Sequence, residues 1–173
     1  INAMEKRSED RERAAAEKAL LTVKKNNNFT LNILGMFSGG VGVEYTRGLG
    51  GVASLGISAG YVAPVIFPYS AVLGQLTLLF WVTYPNNGFY VGPYIGVQQS
   101  YPSDSGAVGA LSVTPGLKVG YRWIWNSGLN VGLGAAFGWA FQAAASSCSG
   151  RPSCSVIGPG PTPAFVLDVG YAF

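Results

Sequence analysis

From Phe29 to Phe173, large apolar residues return at every second position. The closing stretch FVLDVGYAF places Phe165, Leu167, Val169, Tyr171 and Phe173 on one parity, and Val166, Asp168, Gly170 and Ala172 on the other. LNVGLGAAFGWAF repeats the arrangement, with Leu129, Val131, Leu133, Phe137, Trp139 and Phe141 set against Asn130, Gly132, Gly134 and Gly138. A period of two belongs to a strand, whose side chains alternate between two faces. Together with the turn signals between runs, the pattern predicts eight strands, at 29–37, 40–47, 52–62, 70–82, 89–98, 108–123, 129–141 and 163–173. The connectors RGLGG, YPNNG and WNSG are short. Those at 63–69, 100–106 (SYPSDSG) and 142–162 are longer, and FSGG at 37–40 is the exception.

Residues 5–25 follow a different rule. They are rich in Glu, Lys, Arg and Ala, with Glu9, Arg13 and Glu17 four apart, and predict a charged helix that NNN at 26–28 ends. The chain is thus expected to comprise a helical segment, 1–28, and one all-β unit, 29–173. The stretch YSAVLGQLTLLFWVTY at 69–84 is apolar enough to suggest a membrane helix, but its 16 residues fall short of the roughly 20 a helix needs. A helix would also scatter the alternating residues of 129–141 around its circumference.

Charge sharpens the contrast. Of 11 Lys and Arg and 8 Asp and Glu, twelve lie between Glu5 and Lys25, so only seven serve the rest of the chain. Soluble domains carry charge on about a quarter of their residues, so a water-exposed surface is not expected around the β unit. The alternative, a soluble barrel or sandwich, would need more. The basic residues near the start alternate with acidic ones, which leaves no basic stripe for nucleic acid. The opening is charged and has no apolar core before a cleavage site, so an exported chain would here be in its mature form.

Strands of this length, joined by alternating short and long connections and ending on an aromatic residue with a second aromatic two places earlier (Tyr171 and Phe173), resemble the small eight-stranded bacterial outer-membrane barrels of the OmpA, OmpX and OmpW type. The resemblance covers about 29–173. It implies an antiparallel up-and-down transmembrane barrel, location in the bacterial outer membrane, contact with its lipid, and Tyr171 and Phe173 as the signal read by the barrel assembly machinery. Aromatic residues sort in keeping with two interfaces. Tyr45, Tyr84, Phe89, Trp123, Trp125 and Tyr171 fall near the short-turn ends, and Tyr61, Tyr69, Tyr101, Trp139 and Phe141 near the other rim. The helix at 5–25 would then lie in the periplasm, available to a protein partner or to a second copy.

Strand parity turns Glu44, Lys118, Arg122 and Asp168 inward, the first, third and fourth at similar depth and Lys118 one or two layers higher. Two readings follow: a salt-bridge network that holds a narrow barrel shut, or a constriction that selects ions or small solutes. Inward positions are otherwise rich in glycine (Gly42, Gly60, Gly92, Gly96, Gly116, Gly120, Gly134 and Gly138 among them), which predicts room in the lumen. Function is accordingly expected to be that of a structural anchor or interaction scaffold, with a narrow pore as the alternative. The chain contains no histidine, and no nucleophile stands beside a matched base, so neither catalysis, a metal nor a cofactor is expected. Cys148 and Cys154, in the polar stretch SSCSGRPSC, are either a loop disulfide of an oxidising compartment or two free thiols.

Overall fold

The computed structural model describes residues 6–7, 9–13, 25–34, 40–64, 69–83, 85–102, 109–145 and 159–173. Cys148, Cys154 and Tyr84 lie outside the described residues. Eight strands follow one another along the chain: β1 (Asn27–Asn32), β2 (Gly40–Gly50), β3 (Ala53–Val62), β4 (Tyr69–Trp81), β5 (Gly88–Pro102), β6 (Ala110–Ile124), β7 (Leu129–Ala145) and β8 (Gly160–Ala172). Each pairs antiparallel with the next, and β1 pairs with β8 to close the barrel.

The closure is staggered. A walk along paired residues from Asn28 passes Thr46, Gly56, Thr77, Tyr94, Gly116 and Gly138 and returns to β8 at Thr162. That is ten residues short of Ala172, the residue facing Asn28 across the seam. With strands about 4.8 Å apart and a rise of about 3.3 Å per residue, this stagger tilts them by about 40°. A strand of about 11 residues then climbs about 28 Å, enough for an apolar band about 25 Å tall.

The wall is apolar outside and polar inside. Leu55, Ile57, Leu117, Leu133, Phe137 and Phe165 are among thirty large apolar or aromatic side chains that stand exposed. The buried large apolar side chains among the described residues are Leu79, Trp81 and Tyr90. The buried polar set is longer and includes Asn28, Thr30, Glu44, Thr46, Ser54, Thr77, Lys118, Arg122, Asn130 and Asp168. This inverts the ordinary distribution, in which buried charged residues are rare. Phe89, Trp123, Trp125 and Tyr171 are exposed at the short-turn end, and Tyr61, Tyr101, Trp139 and Phe141 toward the other rim.

Turns carry the special conformations. Gly50 and Gly51 both have positive φ (99° and 59°) in the β2–β3 hairpin, and Gly128 (99°) ends the β6–β7 turn, which Trp125 and Leu129 close by a backbone bond of 2.9 Å. Two interior prolines explain two gaps in the ladders. Val82 N donates to Phe89 O, so odd residues of β5 turn their amides toward β4, and Pro93 has none to give opposite Leu78. On β6, Trp125 N donates to Leu129 O, so Pro115 likewise faces β7 where the pairing skips from Val113 to Gly116.

Several expected bounds change. β1 stops at Asn32 rather than running to residue 37, and Ile33 and Leu34 are helical. Continued alternation would turn Leu34 and Met36 into a polar lumen. β5 and β7 run four residues further than expected, and β8 starts at Gly160, three residues earlier, across Pro161 and Pro163. Phe173 N donates to Asn27 O while Ala172 N donates to Gly128 O, so odd β8 amides face β1 and the prolines cost β7 nothing. Residues 6–7 and 9–13 are helical, and the chain has left the helix by Lys25.

Candidate functional site

The structure brings the four inward charges together. Glu44 projects from β2, Lys118 and Arg122 from one face of β6, and Asp168 from β8. Lys118 Nζ donates to Glu44 Oε2 at 2.6 Å, and Arg122 Nη2 donates to Oε1 at 3.3 Å. Asp168 Oδ2 lies 3.8 Å from the same Arg122 nitrogen, an ion pair too long for a hydrogen bond. Thr46 Oγ1 donates to Glu44 Oε1 at 3.2 Å. Two acids and two bases make the group electrically balanced, the condition under which buried ions are tolerated.

Below this group the lumen is filled. The Arg122 guanidinium lies 5.6 Å from the Trp81 ring centre and 5.9 Å from that of Tyr90, and the two rings are 4.9 Å apart. Trp81 Nε1 donates to Ser54 Oγ at 2.7 Å, and Asn130 Nδ2 donates to Asn28 Oδ1 at 2.7 Å. Arg122, Tyr90, Leu79, Asn28, Asn130, Thr46 and Thr77 are fully buried.

The base is closed by hydrogen bonds across the barrel. The Asn26 carbonyl accepts from Gly48 N at 2.7 Å and from Asn86 Nδ2 at 3.0 Å. Asn86 holds φ at 68°, a left-handed conformation that asparagine tolerates better than most, and is fully buried. Asn87 Oδ1 accepts from Ile124 N at 3.3 Å, tying the β4–β5 turn to β6. Lys25 Nζ donates to the carbonyls of Trp125 and Asn126, which fastens the entering chain to the β6–β7 turn.

Above the charges the lumen opens into a cavity of about 400 Å³, whose floor is Glu44, Lys118 and Asp168. Gly42, Gly60, Gly74 and Gly96 line it, with Gln75 and Gln98. The glycine-rich interior therefore has two meanings, and only one of them is space. A Cβ on Gly116 or Gly138 would strike the Tyr94 ring or hydroxyl, and one on Gly120 or Gly134 the Tyr90 hydroxyl. These glycines make room for tyrosines. A Cβ on Gly92 would run into the Leu78 carbonyl, whereas one on Gly74 would meet nothing within 4 Å.

Sequence reasoning missed the role of Trp81 and Tyr90, although parity alone turns both inward. Nothing in the sequence indicated that they meet. Tyr171 stands outward, paired with Phe29 and Leu129, and Phe173 exchanges two backbone hydrogen bonds with Asn27 at the foot of the seam. Among the described residues no cluster of acidic residues or cysteines suits a metal ion, and no helix is long and apolar enough to cross a membrane, which says nothing of a barrel. In comparisons with known proteins, no family model, no curated protein and no solved structure matches the chain.

Proposed function

We propose that the chain is a bacterial outer-membrane barrel that acts as an anchor and interaction scaffold rather than as a pore. The observation that carries this reading is the filled lower lumen. Glu44, Lys118, Arg122 and Asp168 satisfy one another above a fully buried layer of Arg122, Tyr90, Leu79, Asn28 and Asn130. A conducting site must hold its solute weakly and leave it a path, and here side chains fill that path. The apolar outer wall supports residence in lipid: among the described strand residues, Arg47 near the short turns is the charged side chain on the outward parity.

In this reading the short turns, Lys25 and Phe173 face the periplasm, so the charged segment before Lys25 leaves from that side. It is then placed to meet a soluble partner or a second copy of the chain. Tyr171 and Phe173 serve as the signal for the barrel assembly machinery, as the resemblance implies. No catalytic step is assigned to the barrel.

The test is conductance across a planar lipid bilayer, comparing the whole refolded chain with a version beginning at Lys25, which keeps the base hydrogen bonds. Silence from both is expected. Steady conductance from either would overturn the sealed-lumen reading, and conductance from the shorter version alone would make the N-terminal segment a plug.

A further inference from the structure

The seam between β1 and β8 is closed only part of the way up. Its paired residues run from Asn28 opposite Ala172 to Asn32 opposite Asp168. Beyond that, Ile33 and Leu34 turn helical, while β8 continues along β7 to Gly160. Among the described residues, nothing pairs with the β1-facing edge of β8 from Gly160 to Leu167. The chemistry of that edge is independent of what stands beside it. Odd residues of β8 turn their amides toward β1, and two of them, Pro161 and Pro163, have no N–H to offer. A continuous ladder cannot form there.

The cavity reaches this place. Its lining passes from the inward residues Gly42, Ala164 and Asp168 to Val41, Tyr61 and Phe165, whose parity is outward. Phe165 is 76% exposed and Val41 45%. Ala164, though of inward parity, is also exposed. At the bottom of the slot, beside the last closed rung, stands Asp168. It is 3% exposed, lines the cavity, and its Oδ2 has no hydrogen-bond partner. A buried acceptor without a donor is costly, and a donor arriving from a ligand would relieve that cost.

The geometry points to a binding site for a single-chain amphiphile with an amine or hydroxyl head, which enters sideways between β1 and β8. The head donates to Asp168 Oδ2, and the alkyl chain lies along the slot past Ala164 and Phe165 toward lipid. About 400 Å³ falls within the range of ordinary small-molecule sites, with apolar walls and few polar anchors. A carboxylate head is disfavoured, because it would meet Asp168 while Lys118 is already engaged by Glu44 at 2.6 Å. This inference rests on the membrane reading above.

The experiment uses the full chain refolded into phosphatidylcholine vesicles that contain a few per cent of a dodecyl probe with a photoreactive tail. Three heads are compared, amine, hydroxyl and carboxylate, and cross-linked peptides are mapped by mass spectrometry. Labelling of the outer-wall residues Leu117 and Phe137 reports that the barrel lies in the bilayer. The expected result is additional labelling of cavity residues such as Gln98 and Ala136 by the amine and hydroxyl probes. The carboxylate probe should label them about tenfold less, the ratio that one good hydrogen bond implies.

Asp168→Asn should reduce the preference of the cavity for the amine head. Ala164→Trp, which fills the slot without touching the charges, should abolish cavity labelling and leave the outer wall labelled. Outer-wall labelling with no cavity labelling in the native chain would overturn the site alone, as would equal cavity labelling by all three heads. If the outer wall is not labelled either, the membrane reading falls and the site with it.

Discussion

Glu44→Gln is the most informative single change. The substitution keeps the shape of the side chain and removes its charge, leaving Lys118 and Arg122 in the lumen with Asp168 as their remaining carboxylate. Lys118 is then the exposed weakness of the fold: its Nζ sits 2.6 Å from Glu44 Oε2, and it is 4% exposed. At an effective dielectric constant of about 20, opposite charges about 3 Å apart attract by about 5 kcal/mol. Desolvation of the two ions offsets much of this, so the intact pair adds little net stability. Removing one partner does not recover the desolvation cost of the other, and losses of about 3–5 kcal/mol are typical.

Urea unfolding in vesicles, followed by tryptophan fluorescence and by the heat-dependent gel mobility of folded barrels, should show a loss of that size. The double variant Glu44→Gln with Lys118→Met removes both members of the short pair and leaves Arg122 with Asp168. It should lose less than about 2 kcal/mol, because matched apolar replacement of a buried pair is close to neutral. A single variant within about 1 kcal/mol of the native chain would refute the argument, since the charges would then be hydrated rather than mutually satisfied. A double variant less stable than the single one would refute it as well.

Other expectations follow from the same geometry. Arg122→Ala removes the fully buried side chain packed against Trp81 and Tyr90, so a barrel that is silent in a planar bilayer should begin to conduct; continued silence would show that the base turn alone seals it. Gly92→Ala should cost about 1–3 kcal/mol or prevent folding, because the new Cβ meets the Leu78 carbonyl. Gly74→Ala, in open space, should shift the urea midpoint by less than about 0.5 kcal/mol equivalent, and equal effects at the two positions would contradict the division of the lumen into packed and open halves. Phe173→Ala removes a side chain that is 56% exposed. It should therefore lower the yield of assembled barrel in cells while leaving the unfolding midpoint of refolded protein almost unchanged, whereas an undiminished yield would remove the assembly role.

The alternation that began at Phe29 was enough to determine eight strands, their order of appearance and the face on which each residue lies. These are local properties: a period of two assigns parity whether or not the neighbouring strand is known. The inward direction of Glu44, Lys118, Arg122 and Asp168 and the outward direction of Phe137 and Phe165 followed from it, as did the scarcity of charge on the wall. Strand ends were less legible. β8 passes through Pro161 and Pro163 because their missing amides face the seam, and β1 halts at Asn32 where alternation would bury Leu34, so both ends depend on which neighbour each amide faces.

Only the tertiary structure decided what meets inside. Glu44 on β2 reaches Lys118 and Arg122 on β6, four strands away, because closure with a stagger of ten residues brings them across the lumen at one height. Parity cannot supply that stagger, since it belongs to the closed ring. The same holds for the glycines. In sequence they are alike, yet those beside Tyr90 and Tyr94 are filled by a ring from another strand, while Gly42, Gly60, Gly74 and Gly96 face the cavity. Alternation is a property of each strand alone, but the sealed floor, the open cup above it and the half-closed seam arise from contacts between residues far apart in the chain.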